Sequence, residues 1–306
     1  MRIAFAGLGA MGAPMAGHLA AVYETRVWNR TSSRAEQHAR EHGSIHATDP
    51  RELADADVVC TCLPTDVEVA ALARALGPAL APGTVWLDHT SGDPRGTRDV
   101  AAELAAYDVD YLDAPVSGGT DGAKAARLTA MVGGDADALE QIRPVLEVVT
   151  AQIVHVGPVG AGMAVKAVNN GLLATSLLAA AEGLVALEAA GVEAGKALEV
   201  INGSSGRSFA SERLIPERAV TRAFPRTFAL ELLAKDVGLA TSLLADGPVD
   251  GSVLPLVERL TAAAVEELGG DADHVELVRV VERAAGVELG RGPVGAVAGD
   301  AAEADR

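Results

Sequence analysis

Residues 7–12 read Gly-Leu-Gly-Ala-Met-Gly, a G-x-G-x-x-G placed directly behind the apolar run Arg2 to Ala6 and directly ahead of a helical pattern. Few sequences constrain a fold as tightly. The first glycine makes a tight strand-to-helix turn, the second lets a pyrophosphate approach the backbone, and the third lets the helix pack on the strand. The N–H groups at the helix start then face the phosphates. Gly7, Leu8, Gly9, Ala10, Met11 and Gly12 are therefore expected to form a dinucleotide-binding loop. About 20 residues further on, such sites place an acid against the ribose 2′-hydroxyl when the ligand is NAD. This chain has Trp28-Asn29-Arg30-Thr31 there. Asn29 brings no carboxylate to repel a 2′-phosphate, Arg30 can pair with one, and Thr31 and Ser32 can donate hydrogen bonds. NADP (as NADPH) is the expected cofactor, with NAD as the other possibility.

Beyond the loop, short apolar runs alternate with Ala-rich amphipathic stretches. Thr25 to Trp28, Asp57 to Leu63, Thr84 to Leu87, Asp110 to Leu112, Leu128 to Val132 and Gln152 to Val156 read as further strands. Such alternation predicts a mostly parallel, doubly wound α/β sheet of the Rossmann type. After Gly157-Pro158 the pattern changes. From about Gly162 to Ala190 there is no proline and Ala and Leu predominate, predicting one helix of about 42 Å at 1.5 Å per residue. Further helices are expected near Lys196 to Ile201, Phe209 to Ala219, Phe228 to Leu244, Leu254 to Leu268 and His274 to Ala285. The expected organisation is a dinucleotide-binding domain over 1–160, an all-α domain over 161–290 for substrate and dimerisation, and a disordered small-residue tail over 291–306.

Composition narrows the partners. Twenty-five Lys+Arg against 42 Asp+Glu leave a net charge of -17, with no basic stripe, so neither nucleic acid nor an anionic membrane is an expected partner. No run of about 18 uncharged apolar residues reads as a span, and the N-terminal segment has no signal-peptide pattern, so a cytoplasmic location is expected. The two cysteines, Cys60 and Cys62, read as buried thiols on one face of a strand, and the seven histidines form no spaced set with them, so no metal site is expected. Only four of the basic residues are lysines: Lys124, Lys166, Lys196 and Lys235. Arginine is effectively never deprotonated, whereas lysine can give and take a proton.

Two segments carry chemistry. Lys166 and Asn170 lie four apart on one face of the long helix, among Ala, Val and Leu, with no other charge before Glu182. Neither is comfortable buried and unpaired, so both are expected to meet a ligand or a partner. Asp113-Ala114-Pro115-Val116-Ser117-Gly118-Gly119 follows a strand end, the edge where doubly wound sheets bind ligands. There Ser117 offers a hydroxyl, and Gly118 and Gly119 let backbone N–H groups turn toward an anion.

These residues together resemble the β-hydroxyacid dehydrogenases, the group that includes 3-hydroxyisobutyrate dehydrogenase and tartronate semialdehyde reductase. The resemblance runs from Arg2 to about Leu268 and rests on GLGAMG, the Leu63-Pro64 strand end, DAPVSGG, KAVNN at 166–170, INGSSGRS at 201–208 and KDVGLA at 235–240. It implies NADP-dependent exchange between a small 3-hydroxy or 2-hydroxy acid and its semialdehyde or keto acid, an active site in a cleft between the domains, and a homodimer or tetramer built through the helical domains. Carried over, Lys166 resembles the general acid/base and Asn170 the substrate-orienting asparagine. Ser117, Gly118 and Gly119 resemble the pocket for the substrate carboxylate. Leu63, Pro64 and Ser91 match cofactor-lining positions, and Lys235 the lysine that closes over the cofactor. Two departures stand out: Ala126-Arg127-Leu128 where the family usually has Gly-Thr-Leu, and Thr90-Ser91 where it has Ser-Thr. Imine reductases share the Val-Trp-Asn-Arg-Thr run of 27–31 but typically lack the lysine. A non-catalytic NADP-binding protein is the reading from another class.

Overall fold

The computed structural model describes residues 1–293. Its first half contains β1 (Arg2–Ala6), α1 (Gly12–Ala20), β2 (Glu24–Trp28), α2 (Ser32–His42), β3 (Ile45–His46), β4 (Val58–Thr61), α3 (Asp66–Leu76) and β5 (Val85–Asp88). It continues with α4 (Pro94–Ala105), β6 (Asp110–Asp113), β7 (Val116–Ser117), α5 (Gly119–Lys124), β8 (Leu128–Gly133), α6 (Ala136–Glu147) and β9 (Thr150–Gly157). Several helices start where their sequence says they should. Thr65 and Glu68 form a reciprocal capping box on α3, and Asp93 ahead of Pro94 and Asp135 cap α4 and α6 with side-chain acceptors.

Strands β3-β2-β1-β4-β5-β6 lie side by side and parallel, in the order of a dinucleotide-binding sheet. Beyond them β8 runs antiparallel to β6 and β7, and β9 pairs parallel with β8. The sheet is apolar on both faces, as helices on both sides require: Ile3, Phe5, Val58 and Cys60 belong to one core, and Ala4, Val59, Trp86 and Tyr111 to the other. Register places Trp28, Ala6, Thr61, Asp88, Asp113 and Gly133 in one row across the carboxyl edge. Gly7, Asn29, Cys62, His89 and Ala114 therefore leave the sheet from that same edge.

The second half contains α7 (Ala161–Ala189), α8 (Ala194–Asn202), a π-helix (Ala210–Val220), α9 (Leu230–Ala245), α10 (Val253–Leu268), α11 (Leu277–Ala285) and the two-residue strands β10 (Val287–Glu288) and β11 (Gly292–Pro293). Ala174, Leu177, Ala181 and Leu184 recur every three or four residues along α7. They form one core with Leu230, Leu233 and Val237 of α9 and Leu277 and Val278 of α11. Length and apolarity alone would let α7 cross a bilayer. Its buried stripe packs into the core of the all-α unit.

The chain divides into two compact units, Met1–Val168 and Asn169–Arg306. The first two turns of α7 count with the sheet because Gly160 and Met163 donate backbone N–H groups to Asp113, and Gly92 donates to Met163 Sδ.

Three details depart from the sequence expectation. Cys60 is fully buried, but β4 ends at Thr61, so Cys62 lies past the strand and is half-buried. Burial, with Asp88 nearby, still pushes its thiol up to about 12. Gly292 and Pro293, expected in the tail, instead form β11, which pairs antiparallel with β10 around buried Leu289, whose N–H meets Glu282 Oε1 at 2.9 Å. The remainder of that expectation, 294–306, lies outside the described residues. Finally, the departure at Ala126 has a backbone meaning. Residues Gly119–Lys124 form α5, which closes with Ala126 N–H on the Ala123 carbonyl and Arg127 N–H on the Gly122 carbonyl. That pair of bonds puts Ala126 at φ 51, the left-handed conformation that glycine adopts without strain. Ala126→Gly should therefore raise unfolding stability by about 0.5–1 kcal/mol, read as a higher denaturant midpoint at unchanged slope. A lower midpoint would show that the alanine is not strained.

Candidate active site

The glycine loop is closed on one side and open on the other. A Cβ on Gly7, at φ 101, would sit 2.2 Å from the Cys62 carbonyl oxygen, and one on Gly12 would sit 1.9 Å from the Gly7 carbonyl oxygen. A Cβ on Gly9 would meet nothing within 4 Å, and Gly9 and Ala10 are exposed. Two glycines thus serve packing, and the third leaves bare backbone facing space, which fits a dinucleotide pyrophosphate. Leu8 and Asn29 serve the same loop from beneath. Leu8 is buried and its N–H donates to Asn29 Oδ1 at 3.0 Å, while Asn29 Nδ2 donates to the Thr31 carbonyl at 3.1 Å. Arg30 and Thr31 are exposed beyond it.

Next along the edge, buried Asp88 organises two expected cofactor-lining segments. One of its oxygens accepts from Thr61 Oγ1 at 2.7 Å and from Thr90 N–H at 3.0 Å, and the other from Tyr111 at 2.6 Å. Thr90 Oγ1 in turn accepts the Leu63 N–H at 3.0 Å, tying Leu63-Pro64 to Thr90-Ser91. Burial pushes the Asp88 carboxyl above the usual range although hydrogen bonds from Thr90, Tyr111 and Thr61 oppose it. His89, between them, is buried, and its Nδ1 donates to the Ala114 carbonyl at 2.8 Å. Burial lowers its pKa to about 4, so the ring is neutral at physiological pH.

Asp113 does for α7 what a capping residue does for a helix, but from a neighbouring strand. Its Oδ1 accepts Gly160 N–H at 2.7 Å and its Oδ2 accepts Met163 N–H at 2.9 Å. Negative charge at a helix N-terminus is favourable, and it satisfies N–H groups that have no partner within the helix. Lys166, half-buried, follows three residues after Met163, so the sheet edge sets its position along α7. From the same β6 edge the chain enters β7, whose half-buried Ser117 precedes Gly118 at φ 132 and Gly119 at φ 61. Both glycines stand at positive φ and are exposed, a backbone that suits an anion.

Asn170, one turn beyond Lys166, is buried, and its Nδ2 donates to Asp236 Oδ2 at 2.6 Å while its Oδ1 accepts from Asn169 Nδ2 at 3.1 Å. The other oxygen of Asp236 lies 3.4 Å from Lys235 Nζ. Asp236 thus touches both expected site residues of the helical unit. Sequence reasoning named neither Asp113 nor Asp236 as functional, although both stand inside the DAPVSGG and KDVGLA segments. The readable signal was an acid ending an apolar strand or interrupting an apolar helix face.

A 3-2-1-4-5-6 sheet with a glycine loop open at Gly9 defines a Rossmann fold suited to a dinucleotide. Residues 2–157 match the family described as the NAD binding domain of 6-phosphogluconate dehydrogenase. Residues 160–281 match the family described as NAD-binding of NADP-dependent 3-hydroxyisobutyrate dehydrogenase. The chain is 35% identical over 304 residues to 2-(hydroxymethyl)glutarate dehydrogenase of Eubacterium barkeri, covering 95% of this chain and 98% of that protein. It is 39% identical over 249 residues to the NAD-dependent L-serine dehydrogenase of Pseudomonas aeruginosa, covering 78% and 84%. The structure of Mycobacterium tuberculosis 3-hydroxyisobutyrate dehydrogenase with L-serine superposes with a TM-score of 0.85 at 34% identity, covering 92% and 98%. An imine reductase from Pseudomonas sp., at 20% identity and a TM-score of 0.61, shares the fold. The chain belongs to the β-hydroxyacid dehydrogenase family and is an enzyme of NAD(P)-dependent hydroxyacid oxidoreduction.

The glycine geometry predicts a split. Gly7→Ala and Gly12→Ala should each cost more than about 3 kcal/mol of stability, whereas Gly9→Ala should keep its melting temperature and lose dinucleotide affinity in a binding titration. Equal stability loss at all three positions would contradict the open site at Gly9. For His89 the folded pKa lies below the unfolded value of about 6.5, so the unfolded chain takes up the proton first as pH falls. This group should remove about 1.4 kcal/mol per pH unit between about pH 6.5 and 4, and nothing above that window. His89→Gln should flatten that slope in urea titrations at stepped pH, and an unchanged slope would refute the buried neutral ring.

Proposed function

We propose that this enzyme interconverts a small 3-hydroxy acid (or, with an adjacent carbonyl, a 2-hydroxy acid) and its semialdehyde or keto acid, with NADP as cofactor and Lys166 as the proton-transfer group. The observation that carries this reading is Asp113 holding the first turn of α7, and hence Lys166, at the edge from which Gly9, Thr90-Ser91 and the Ser117 segment emerge. The names of the relatives point to one substrate unit. Serine, 2-(hydroxymethyl)glutarate and 3-hydroxyisobutyrate each carry a hydroxymethyl group on the carbon that bears a carboxylate. Ser117 with the Gly118 and Gly119 N–H groups suits that carboxylate.

The bound dinucleotide supplies the hydride donor or acceptor. In reduction the Lys166 ammonium polarises the carbonyl oxygen and gives it a proton; in oxidation the neutral amine takes the hydroxyl proton. Asn170, held by Asp236, orients the substrate oxygen. The NADP preference is supported by exposed Arg30 and by the absence of any acid in the first turn of α2. A homo-oligomer, dimer or tetramer, is part of the proposal. Leu172 of α7 and Leu256 and Leu260 of α10 are 59%, 47% and 38% exposed, apolar side chains of the kind a second copy would cover.

An NADPH-coupled screen of small semialdehydes and 3-hydroxy acids on the purified protein tests the activity. At least one should turn over, NADPH should outperform NADH, and Lys166→Ala should lose about 10³-fold in kcat while still binding NADPH. Turnover of a cyclic imine without any semialdehyde would replace this reading with imine reduction, and near-normal activity of Lys166→Ala would remove the lysine from it.

A further inference from the structure

The outermost strand of the sheet ends in a side chain that the assigned site does not use. His46 closes β3, in register with Val27 of β2, and is half-buried. Its Nε2 lies 3.0 Å from the hydroxyl of Ser32, the first residue of α2, 14 positions earlier in the chain. The chain as a whole carries -17, yet the first turn of α2 holds no acid, and Arg30 and Arg34 flank Ser32 on the exposed side. The Glu68 carboxylate feels the Arg30 charge but is committed to Thr65, whose hydroxyl it binds at 2.5 Å. Thr31, the residue preceding the helix, makes no side-chain cap bond.

We propose that His46 is a specificity-determining residue for 2′-phosphorylated adenosine, acting through Ser32. The proposal rests on the NADP reading above and adds a residue to it. A serine hydroxyl has a single proton to donate. When Nε2 is the acceptor, that proton is spent on the imidazole and Ser32 turns a lone pair outward, which repels an anion. When Nε2 carries the proton, the imidazole donates to Oγ and the Ser32 proton is released to a phosphate oxygen. A dianionic 2′-phosphate beside Arg30 can only accept and so selects the second arrangement, in which the imidazole donor also fixes the Ser32 oxygen, whereas a ribose hydroxyl, donor and acceptor both, is met by either. His46 therefore lets one serine discriminate between the two dinucleotides without placing an acid against the unwanted one.

The test uses adenosine 2′,5′-bisphosphate and adenosine 5′-monophosphate in calorimetric titrations of the full chain, which read binding without turnover. The wild type should bind the bisphosphate at least tenfold more tightly. His46→Ala, which removes the donor that holds the Ser32 oxygen and aims its proton, should cut that ratio about fivefold or more while leaving the monophosphate affinity unchanged. Ser32→Ala should do the same, and the double variant should be no worse than Ser32→Ala. His46→Gln, whose amide can still donate to Ser32, should keep most of the ratio. An unchanged ratio in His46→Ala, or additive losses in the double variant, overturns the role of His46 alone. Parallel loss of both ligands shows that His46 merely shapes the loop and also overturns it. A wild type that fails to distinguish the ligands overturns the NADP reading and this inference with it.

Discussion

One buried carboxylate joins sheet to helix. Asp113 ends a central strand with no exposure, and both of its oxygens are taken by the opening turn of α7. A helix of 29 residues could slide or rotate against a sheet held only by apolar contact, because such contact is not directional. Two backbone hydrogen bonds to one rigid acceptor are directional, and they set both the height of the first turn and its angular setting. Burial pushes the Asp113 carboxyl up even though the Gly160 and Met163 N–H groups favour its charged form, so this joint sets desolvation against hydrogen bonding. The lysine that follows inherits its place from that joint.

The same edge explains how a strongly acidic chain accommodates an anionic ligand. Two acids that end strands at the edge are inward and occupied: Asp88 by Thr61, Thr90 and Tyr111, Asp113 by α7. His89 is held neutral there. What faces outward is backbone at Gly9, Gly118 and Gly119, with Arg30 and Lys166 as the nearby cations. Local geometry, rather than overall charge, decides what can approach.

Much of this architecture was legible before any coordinates. The parallel strands that were read fell within two residues of their runs, and the long helix was displaced by one residue, because periods of two and 3.6 survive over such lengths. Two-residue β3 and β7 were not legible, since no period exists in two residues, and α5 was masked by the Gly118-Gly119 that opens it. The glycine loop was readable as a pattern, but the division of labour between Gly7, Gly9 and Gly12 was not, because it depends on Cys62 arriving from another strand. Asn29 was read for the charge it lacks; its hydrogen bond to Leu8 requires knowing that β1 and β2 are neighbours. Asp113 and Asp236 escaped for the same reason, as an acid reads as surface until its partners, 47 and 66 positions away, are brought to it.

Two glycines make room for the Asp113 joint. A Cβ on Gly133 of β8 would sit 2.5 Å from Asp113 Oδ1, and one on Gly162 of α7 would sit 2.8 Å from Oδ2. Strand, neighbouring strand and helix each surrender a position to one carboxylate, and none of the three can change alone without a clash or an orphaned helix end. Lineages descending from this chain should therefore keep glycine at 133 and 162 even where 113 drifts, because the Pro158 and Met131 carbonyls, 2.7 and 2.2 Å from such a Cβ, close on the same two positions.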